Sequence, residues 1–231
     1  MKASLIGFTL FTMSEQTRER ILRCACDLFL RDGFEGFSMR RLAKAVGVTA
    51  PALYRHYESK EAVLHDVVSE AYQRMAQYLY RGLQGRTPWE RLMLAGRGYL
   101  DFAMEHPHLY DALFGSPELV GLGNLPDDVE AQGCAIGRFW NDRIRECMDA
   151  GLIRRQDPGD VGLTMWAHAH GLISLRARGL LSYPEPLDDE AFREVYRASA
   201  LRALEGMAVR PSGGEVDGGD DEEEVDPGAA A

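Results

Sequence analysis

The chain has 231 residues, of which 45% are hydrophobic and 27% charged, a composition typical of a globular protein. Its four cysteines show no zinc-type spacing, so we expect no disulfide framework, no metal and no cofactor. Because no stretch approaches the roughly 20 apolar residues of a membrane span, a cytoplasmic protein is expected. The formal net charge of −10 argues at first sight against DNA as a partner.

The distribution of charge changes that interpretation. Residues 14–60 contain nine Lys or Arg against six Asp or Glu, a local charge of +3, whereas residues 208–231 have a local charge of −7. A phosphate responds to charges within roughly 10 Å, so the amino-terminal part can bind a polyanion. The acidic segment 208–231 has almost nothing apolar to bury and is predicted to be disordered. It is either a solubilising tail or a DNA mimic that competes for the basic face.

Residues 1–12 are predicted to be an extension that is disordered or belongs to a mis-assigned start, with Met13 as the initiator. Helix signals begin directly after them. Hydroxyl residues at Ser38, Thr49 and Ser59 are typical helix N-caps, and Gly47 separates the second and third helices. The helices predicted up to residue 80 span 15–32, 38–45, 49–56 and 59–80.

The rest of the chain also shows helical periodicity. No long alternation of β-branched and polar residues occurs, so no sheet is expected. Further helices are predicted at 88–105, 107–114, 127–150, 158–181 and 188–206, with Asp127 capping the third of these. The fold class is therefore all-α. It divides into an amino-terminal helix-turn-helix domain at 13–60 and a larger helical regulatory and dimerisation domain at 61–207.

The second and third helices carry the pattern of a helix-turn-helix. Ala43 is small where the third helix must cross closely, and Gly47 stands where a positive φ is needed. Their shared core is predicted to come from Leu42, Ala43, Val46, Val48 and Leu53. A plain αα-hairpin is the structural alternative.

The segment Ser38–Leu64, SMRRLAKAVGVTAPALYRHYESKEAVL, resembles the amino-terminal domain of the TetR family of transcription regulators. The preceding segment, TRERILRCACDLFLRDGFEGFS, resembles the first helix of that family and its turn. The resemblance implies a homodimer that binds double-stranded operator DNA with its third helix in the major groove and responds to a small-molecule effector. Repression with ligand-triggered release is the family's usual mode, and activation is the open alternative.

The predicted DNA contacts lie on or beside the helix-turn-helix. By spacing and by the family resemblance, Arg40 is the candidate for a guanine contact, because its planar fork matches O6 and N7. The small residues at the start of the third helix would contact thymine methyls, and Arg55 would reach a base or a phosphate. The others are expected to clamp phosphates. The full set is Ser38, Arg40, Thr49, Ala50, Pro51, Ala52, Tyr54, Arg55, His56 and Lys60.

Aromatic residues recur at helical spacing beyond residue 88. Singly each fits ordinary core packing; together they suit an apolar cavity between helices, with Arg97 or Arg143 as further polar groups. His168 and His170 are two apart on a helix and point in different directions, so no metal site is expected. The predicted ligand-binding residues are Tyr99, Phe102, His106, Tyr110, Phe114, Phe139, Trp140, Trp166 and His170.

The spacing of Trp166, His170 and Gly171, together with the segment EHPHLYDALFG, resembles the TetR subgroup named for a Trp-His-Gly motif. That resemblance implies that helices 158–181 and 188–206 pair with their copies in a second chain to form a four-helix interface. Glycines at 162, 171 and 179 are expected to allow close helix approach.

Two other functions remain open at this point. One is a helical hydrolase or isomerase with His170 as base, although the sequence contains no G-x-S-x-G, G-x-G-x-x-G or H-E-x-x-H motif. The other is an architectural DNA-binding protein without a ligand, which would bind specific and non-specific DNA almost equally well.

Overall fold

A computed structural model describes residues 17–29, 31–32, 36–115, 125–181 and 185–208. Within these ranges the regular structure is helical, apart from an isolated antiparallel bridge between Ile153 and Ala208, which confirms the all-helical prediction. The predicted extension 1–12 and the acidic segment after residue 208 lie outside the described residues. The helices are α1 (17–29), α2 (Met39–Val46), α3 (Ala50–Tyr54), α4 (Lys60–Leu79), α5 (Pro88–Glu105), α6 (Pro107–Phe114), α7 (Asp127–Asp149), α8 (Pro158–Ala177) and α9 (Asp189–Glu205).

The amino-terminal helices begin and end where the local signals place them. Ser38, Thr49 and Ser59 are N-caps, and each side-chain oxygen accepts a hydrogen bond from the backbone N–H three residues later, at 3.3, 3.3 and 3.1 Å. Gly47 ends α2 with φ of 79°, a conformation that costs glycine little. Gly47 and Thr49 lie between α2 and α3 and fix the turn that joins them.

One predicted cap and two predicted helix ends are wrong. Asp127 is not the cap of α7, because Pro126 precedes the helix and Asp127 lies in its first turn, near the positive end of the helix dipole. Helix α8 ends at Ala177 and not at 181, since Gly179 takes a left-handed φ of 68° in the following turn. Gly179 therefore belongs to a turn and not to a helix face. Helix α3 ends at Tyr54 instead of near 56.

Helix α4 connects the helix-turn-helix to the rest of the molecule. Its first half buries Val63, Leu64 and Val67 among α1–α3, and its second half buries Met75 and Leu79 against the body. The buried side chains form one continuous core along this helix. Any tilt of α4 is therefore transmitted to α1–α3.

The body packs tightly against the end of α4. A Cβ at Gly98 on α5 would collide with the Tyr78 carbonyl, so glycine lets the two backbones approach closely. A second, smaller core lies at the other end of α5 and includes Leu92, Ile144, Ile153 and Leu204, each at most 1% exposed. The space between these two cores is where the cavity described below opens.

Candidate DNA-binding surface and ligand cavity

The helix-turn-helix presents most of the predicted DNA contacts on one surface. Leu42, Ala43 and Leu53 lie beneath it and are at most 2% exposed, so α2 and α3 are held together by their inner faces. The exposed residues are Arg40, Thr49, Pro51, Tyr54, Arg55 and His56, and the partly exposed ones are Ser38, Ala50, Ala52 and Lys60.

The two neighbouring arginines of α2 have different environments. Arg41 is exposed but already has partners in the chain, because its guanidinium lies 2.7 Å from Asp32 and donates a 2.7 Å hydrogen bond to the Gly36 carbonyl. Arg31 and Arg41 beside it hold the pKa of Asp32 below its usual value. Arg40 makes no ion pair or hydrogen bond with the described part of the chain and is exposed. Of this pair, Arg40 is therefore the arginine whose guanidinium has no partner in the described part of the chain.

A polar contact that the sequence does not reveal braces this surface. The Tyr57 hydroxyl donates to the Asp66 carboxylate at 2.8 Å, and Arg18 donates to the same oxygen at 3.0 Å. Burial and the bond to Asp66 raise the pKa of Tyr57 to about 12. The contact joins α1, the segment after α3 and α4, so it fixes α3 relative to the long helix.

A cavity of about 540 Å³ opens in the body between α5, α7, α8 and α9. Of the predicted ligand-binding residues, Tyr99, Trp140 and Trp166 line it. Most of the remaining wall is apolar, with Leu92, Met93 and Met165 among its residues. This volume lies in the range of sites that hold drug-sized molecules, roughly 300–1,000 Å³.

The other predicted ligand residues do not line this cavity, which corrects the expectation that all nine share one wall. Phe102, Tyr110, Phe114 and His170 pack against one another, for example with Tyr110 and Phe114 ring centroids 5.0 Å apart in an edge-to-face arrangement. Such aromatic pairs fill space efficiently. Their rings form a packed cluster next to the cavity, and their role in ligand binding stays a prediction.

Two of the predicted ligand residues lie farther away. His106 ends α5 with Nε2 3.1 Å from the Tyr78 hydroxyl, which also donates to Glu105 at 2.5 Å. Burial lowers the pKa of His106. Phe139 packs against Tyr80, with ring centroids 5.2 Å apart. Both residues belong to the junction between α4 and the body.

The cavity wall is connected to the aromatic cluster by hydrogen bonds. Trp166 Nε1–H donates to the Tyr99 hydroxyl at 3.2 Å, and that hydroxyl donates to Tyr110 at 3.3 Å. The Tyr110 hydroxyl lies 2.6 Å from His170 Nδ1. Burial lowers the pKa of His170, with a smaller effect from Arg178.

Helix α9 forms a part of the cavity wall that the sequence did not predict. Arg193, Tyr196, Arg197 and Ala200 recur at helical spacing on one face and line the cavity. Their spacing could have indicated that they share one face of the helix, but spacing alone does not show which other helices that face packs against. Of the two arginines named as polar groups, Arg97 lines the cavity, whereas Arg143 instead pairs with Glu146 at 2.6 Å.

Helix α8 exposes an apolar surface. Leu163 is 60% exposed, Trp166 44% and Leu175 40%. A Cβ built at Gly171 would meet nothing within 4 Å, whereas one at Gly162 would lie 3.2 Å from Asn141 on α7. Gly171 is therefore open to a close neighbour, and Gly162 already has one. Leu163, Gly171 and Leu175 lie within roughly 120° of one another around the helix, whereas Trp166 lies on the side opposite Leu175. Exposed apolar side chains such as Leu163 and Leu175 are typical of a protein interface.

In residues 17–29, 31–32, 36–115, 125–181 and 185–208, no cluster of three or more His, Cys, Asp or Glu could hold a metal ion. None of the helices in those ranges is both long and apolar enough to cross a bilayer.

Comparison with known proteins matches two family models to the chain. Residues 21–67 match the model described as "Bacterial regulatory proteins, tetR family". Residues 92–198 match the model described as "Tetracyclin repressor-like, C-terminal domain". The first covers the helix-turn-helix and the start of α4, and the second covers most of the cavity wall. The narrower Trp-His-Gly subgroup stays a prediction.

Individual proteins agree with the two models. An uncharacterized HTH-type transcriptional regulator of Mycobacterium tuberculosis, Rv0681, is 26% identical over 198 residues, which are 86% of this chain and 84% of that protein. The structure of PfmR from Thermus thermophilus, a TetR family regulator, superposes with a TM-score of 0.64 at 22% identity, over 80% of this chain and 97% of PfmR. AibR in complex with isovaleryl coenzyme A and operator DNA superposes with a TM-score of 0.62 at 21% identity, over 79% of this chain and 96% of AibR.

Proposed function

Because the chain belongs to the TetR family of transcription regulators, we propose that it is a one-component repressor that binds a palindromic operator as a dimer and leaves it when a small lipophilic or aromatic ligand binds. The family consists of regulators and not of enzymes, so the hydrolase alternative is set aside. The observation that carries the proposal is that one chain combines an exposed Arg40 on a helix-turn-helix with a cavity of about 540 Å³ in its body.

DNA binding would use the surface of α2 and α3. Helix α3 carries Ala50, Pro51 and Ala52 at its start, which offer methyl and methylene groups to thymine. Arg40 has no partner among the described residues and would read a guanine. The hydroxyls of Ser38 and Thr49 accept their capping bonds, so their O–H groups can still donate to phosphate oxygens.

Dimerisation would use the exposed surface of α8 together with α9. Leu163 and Leu175 would be buried against a second copy, and Gly171 between them would permit close approach of the two α8 helices. A two-fold dimer presents two helix-turn-helix units to the same duplex. Its operator is then a palindrome whose half-sites are about 10 base pairs, or a multiple of that, apart.

Release of the operator on ligand binding would be transmitted through α7 and α4. Trp140 of α7 lines the cavity. One side of α7 touches α4, where Gln132 donates to Ser69 at 3.0 Å and a Cβ at Gly133 would lie 3.1 Å from the Tyr72 ring. A ligand that moves α7 therefore moves α4 and, through the continuous core, α2 and α3. Preference for one state by roughly 5.5 kcal/mol would shift a 99:1 population to 1:99.

The crystallised complex of AibR with isovaleryl coenzyme A and operator DNA supports a ligand-responsive regulator of this fold. In that protein both kinds of partner are bound. Here the comparison supports a small-molecule effector and an operator without identifying either.

The proposal is tested by selecting DNA that the purified full chain binds from a random double-stranded pool. We expect a single palindromic sequence, with a specific affinity at least about 10³-fold above that for random DNA. A chain that stays monomeric and recovers no preferred sequence at moderate salt would overturn it. A reporter gene behind the recovered operator then separates repression from activation, since a repressor lowers its expression.

A further inference from the structure

The register of α8 against α9 places a histidine opposite an arginine in the cavity. Arg176 pairs with Asp189 near one end of the two helices, and Val161 and Leu204 share a buried cluster at the other. The helices therefore run antiparallel with a known offset. Between those ends His168 of α8 lies level with Arg197 of α9, and both line the cavity.

Helix α5 brings a second arginine to the same level. Arg193 pairs with Asp101, and the Tyr196 hydroxyl donates to the Gly96 carbonyl at 3.2 Å. These contacts set the register of α9 against α5. Arg97, the residue after Gly96, accordingly lies level with Tyr196 and Arg197 and also lines the cavity.

Two polar groups at this level lack good partners. The Arg97 Nε is 3.9 Å from Asp101, beyond hydrogen-bond distance, and Asp101 is already bonded to Arg193. Arg97 makes no hydrogen bond with the described part of the chain. His168 Nε2 is buried without a hydrogen-bond partner among the described residues. A buried polar atom left unpaired costs free energy, so a state that pairs it is favoured.

The opposite end of the cavity is apolar. Its lining there includes Leu92, Met93, Trp140, Met165 and Ala203, and it borders the smaller buried core. The cavity is therefore polar at the level of Arg97 and His168 and apolar beyond. A ligand that fits both ends has a polar head and an apolar tail.

We propose that the effector is an amphipathic anion, whose carboxylate or phosphate head is bound by Arg97 and His168 and whose apolar tail lies among Leu92, Trp140 and Met165. The planar guanidinium matches either oxyanion with parallel N–H donors. This assignment rests on the proposed function and adds the chemical class of its ligand.

Two carboxylates also line the polar end, and they define the competing outcome. Glu194 is bonded to Arg197 at 2.7 Å, and Glu190 lies in the exposed first turn of α9. If these residues dominated, the cavity would prefer a cationic head over an anionic one. The choice of probes below decides between the two charges.

The test uses the purified full chain without DNA and four ten-carbon probes, namely decanoate, decyl phosphate, decan-1-ol and decylamine. Binding is measured by calorimetry and by the fluorescence of Trp140 and Trp166 in the cavity wall. We expect at least one of the two anions to bind ten-fold or more tightly than the alcohol and the amine. The tighter of the two identifies the head group as carboxylate or phosphate.

Variants then locate the head. Arg97→Gln removes an arginine whose side chain is 73% exposed, so folding should be unaffected. It should weaken anion binding at least five-fold and leave decan-1-ol unchanged. His168→Phe should act in the same direction. The matched control is Arg138→Gln, which removes an exposed arginine of α7 outside the cavity wall and should change neither affinity.

Three results would overturn the assignment. They are equal or tighter binding of the alcohol or the amine, equal effects of Arg97→Gln and Arg138→Gln, and no binding of any probe. None of these results would contradict the proposed function as a DNA-binding repressor, because the selection of operator DNA uses no ligand. Conversely, tight anion binding by a chain without a preferred operator would uphold the cavity assignment and reject the repressor.

Discussion

The DNA-binding surface and the ligand cavity are built in opposite ways. The predicted contacts of the surface come from residues 38–60, a short continuous stretch with its own caps and core. The wall of the cavity comes from four helices spread over residues 92–203. A surface built locally can be altered one residue at a time, whereas a cavity built from distant segments changes when any one helix moves.

The largest expected effect comes from removing the core beneath the DNA-binding surface. Leu53 is fully buried, and Leu53→Ala should lower the free energy of unfolding by roughly 2–5 kcal/mol and abolish operator binding. All three tryptophans lie in the body, so their emission spectrum should stay native at low temperature. Chemical denaturation and fluorescence check both statements.

The control for this experiment is Leu83→Ala, which makes the same deletion at a side chain that is 55% exposed. It should change stability by less than about 0.5 kcal/mol. If Leu53→Ala also altered the tryptophan spectrum, the DNA-binding surface and the cavity would not be structurally separable.

This contrast also explains what the sequence could predict. The capping hydroxyls of Ser38, Thr49 and Ser59 act within three residues, so their roles follow from spacing, and the left-handed Gly47 follows from its place between two short helices. Arg40 could be singled out, but its difference from Arg41 could not, because that depends on Asp32 and Gly36 in another turn.

Which side chains line the cavity depends on tertiary contacts, and helical spacing in the sequence does not show these contacts. Tyr110, Phe114 and Trp140 all belong to the set of aromatic residues that recur at helical spacing. In the structure the rings of Tyr110 and Phe114 on α6 lie in the packed cluster, whereas Trp140 on α7 lines the cavity. The direction faced by α9 follows from Arg193 meeting Asp101, 92 residues away. Such pairings are tertiary contacts. The sequence therefore predicted aromatic residues in the region that forms the cavity, but most of those residues do not line it.

A second prediction concerns base reading by the surface. Arg40→Ala should lose roughly 1–3 kcal/mol of discrimination at one base pair in each half-site, with little change at the others. Competition binding with single-base operator variants measures this directly. Lys44→Ala, an exposed change on the same helix, should leave base preference unaltered. A uniform loss on every sequence would show that Arg40 contacts phosphate instead.

A third, smaller effect tests the brace between the surface and α4. Tyr57→Phe removes the hydroxyl that donates to Asp66 and should cost about 0.5–1.5 kcal/mol of stability. Since the folded pKa of Tyr57 is raised to about 12, its contribution is complete below pH 10 and is lost as pH rises toward 12. The variant should therefore lose less stability than the wild type over that interval.

Tyr54→Phe is the matched control, because Tyr54 is 52% exposed and makes no hydrogen bond through its side chain with the described residues. Its stability and alkaline profile should equal those of the wild type. An unchanged alkaline profile in Tyr57→Phe would mean that the hydroxyl does not brace α4.

The smallest expected effect lies in the body and has the opposite dependence on pH. Burial lowers the pKa of His170, so the folded chain takes up its proton at a lower pH than the unfolded chain does. The stability from the neutral ring is complete above its ordinary pKa of about 6.5 and is lost as pH falls below that value. His170→Asn should therefore show a smaller drop in melting temperature than the wild type between pH 7.5 and 5.5.

Exposed His56, replaced in the same way, is the control for His170 and should leave that drop in melting temperature unchanged. Because His170 joins the cavity wall through Tyr110 and Tyr99, the same acid interval should also weaken binding of the uncharged decan-1-ol by the wild-type chain more than operator binding. A parallel loss of both would show that the acid response arises in α4 and not in the aromatic cluster.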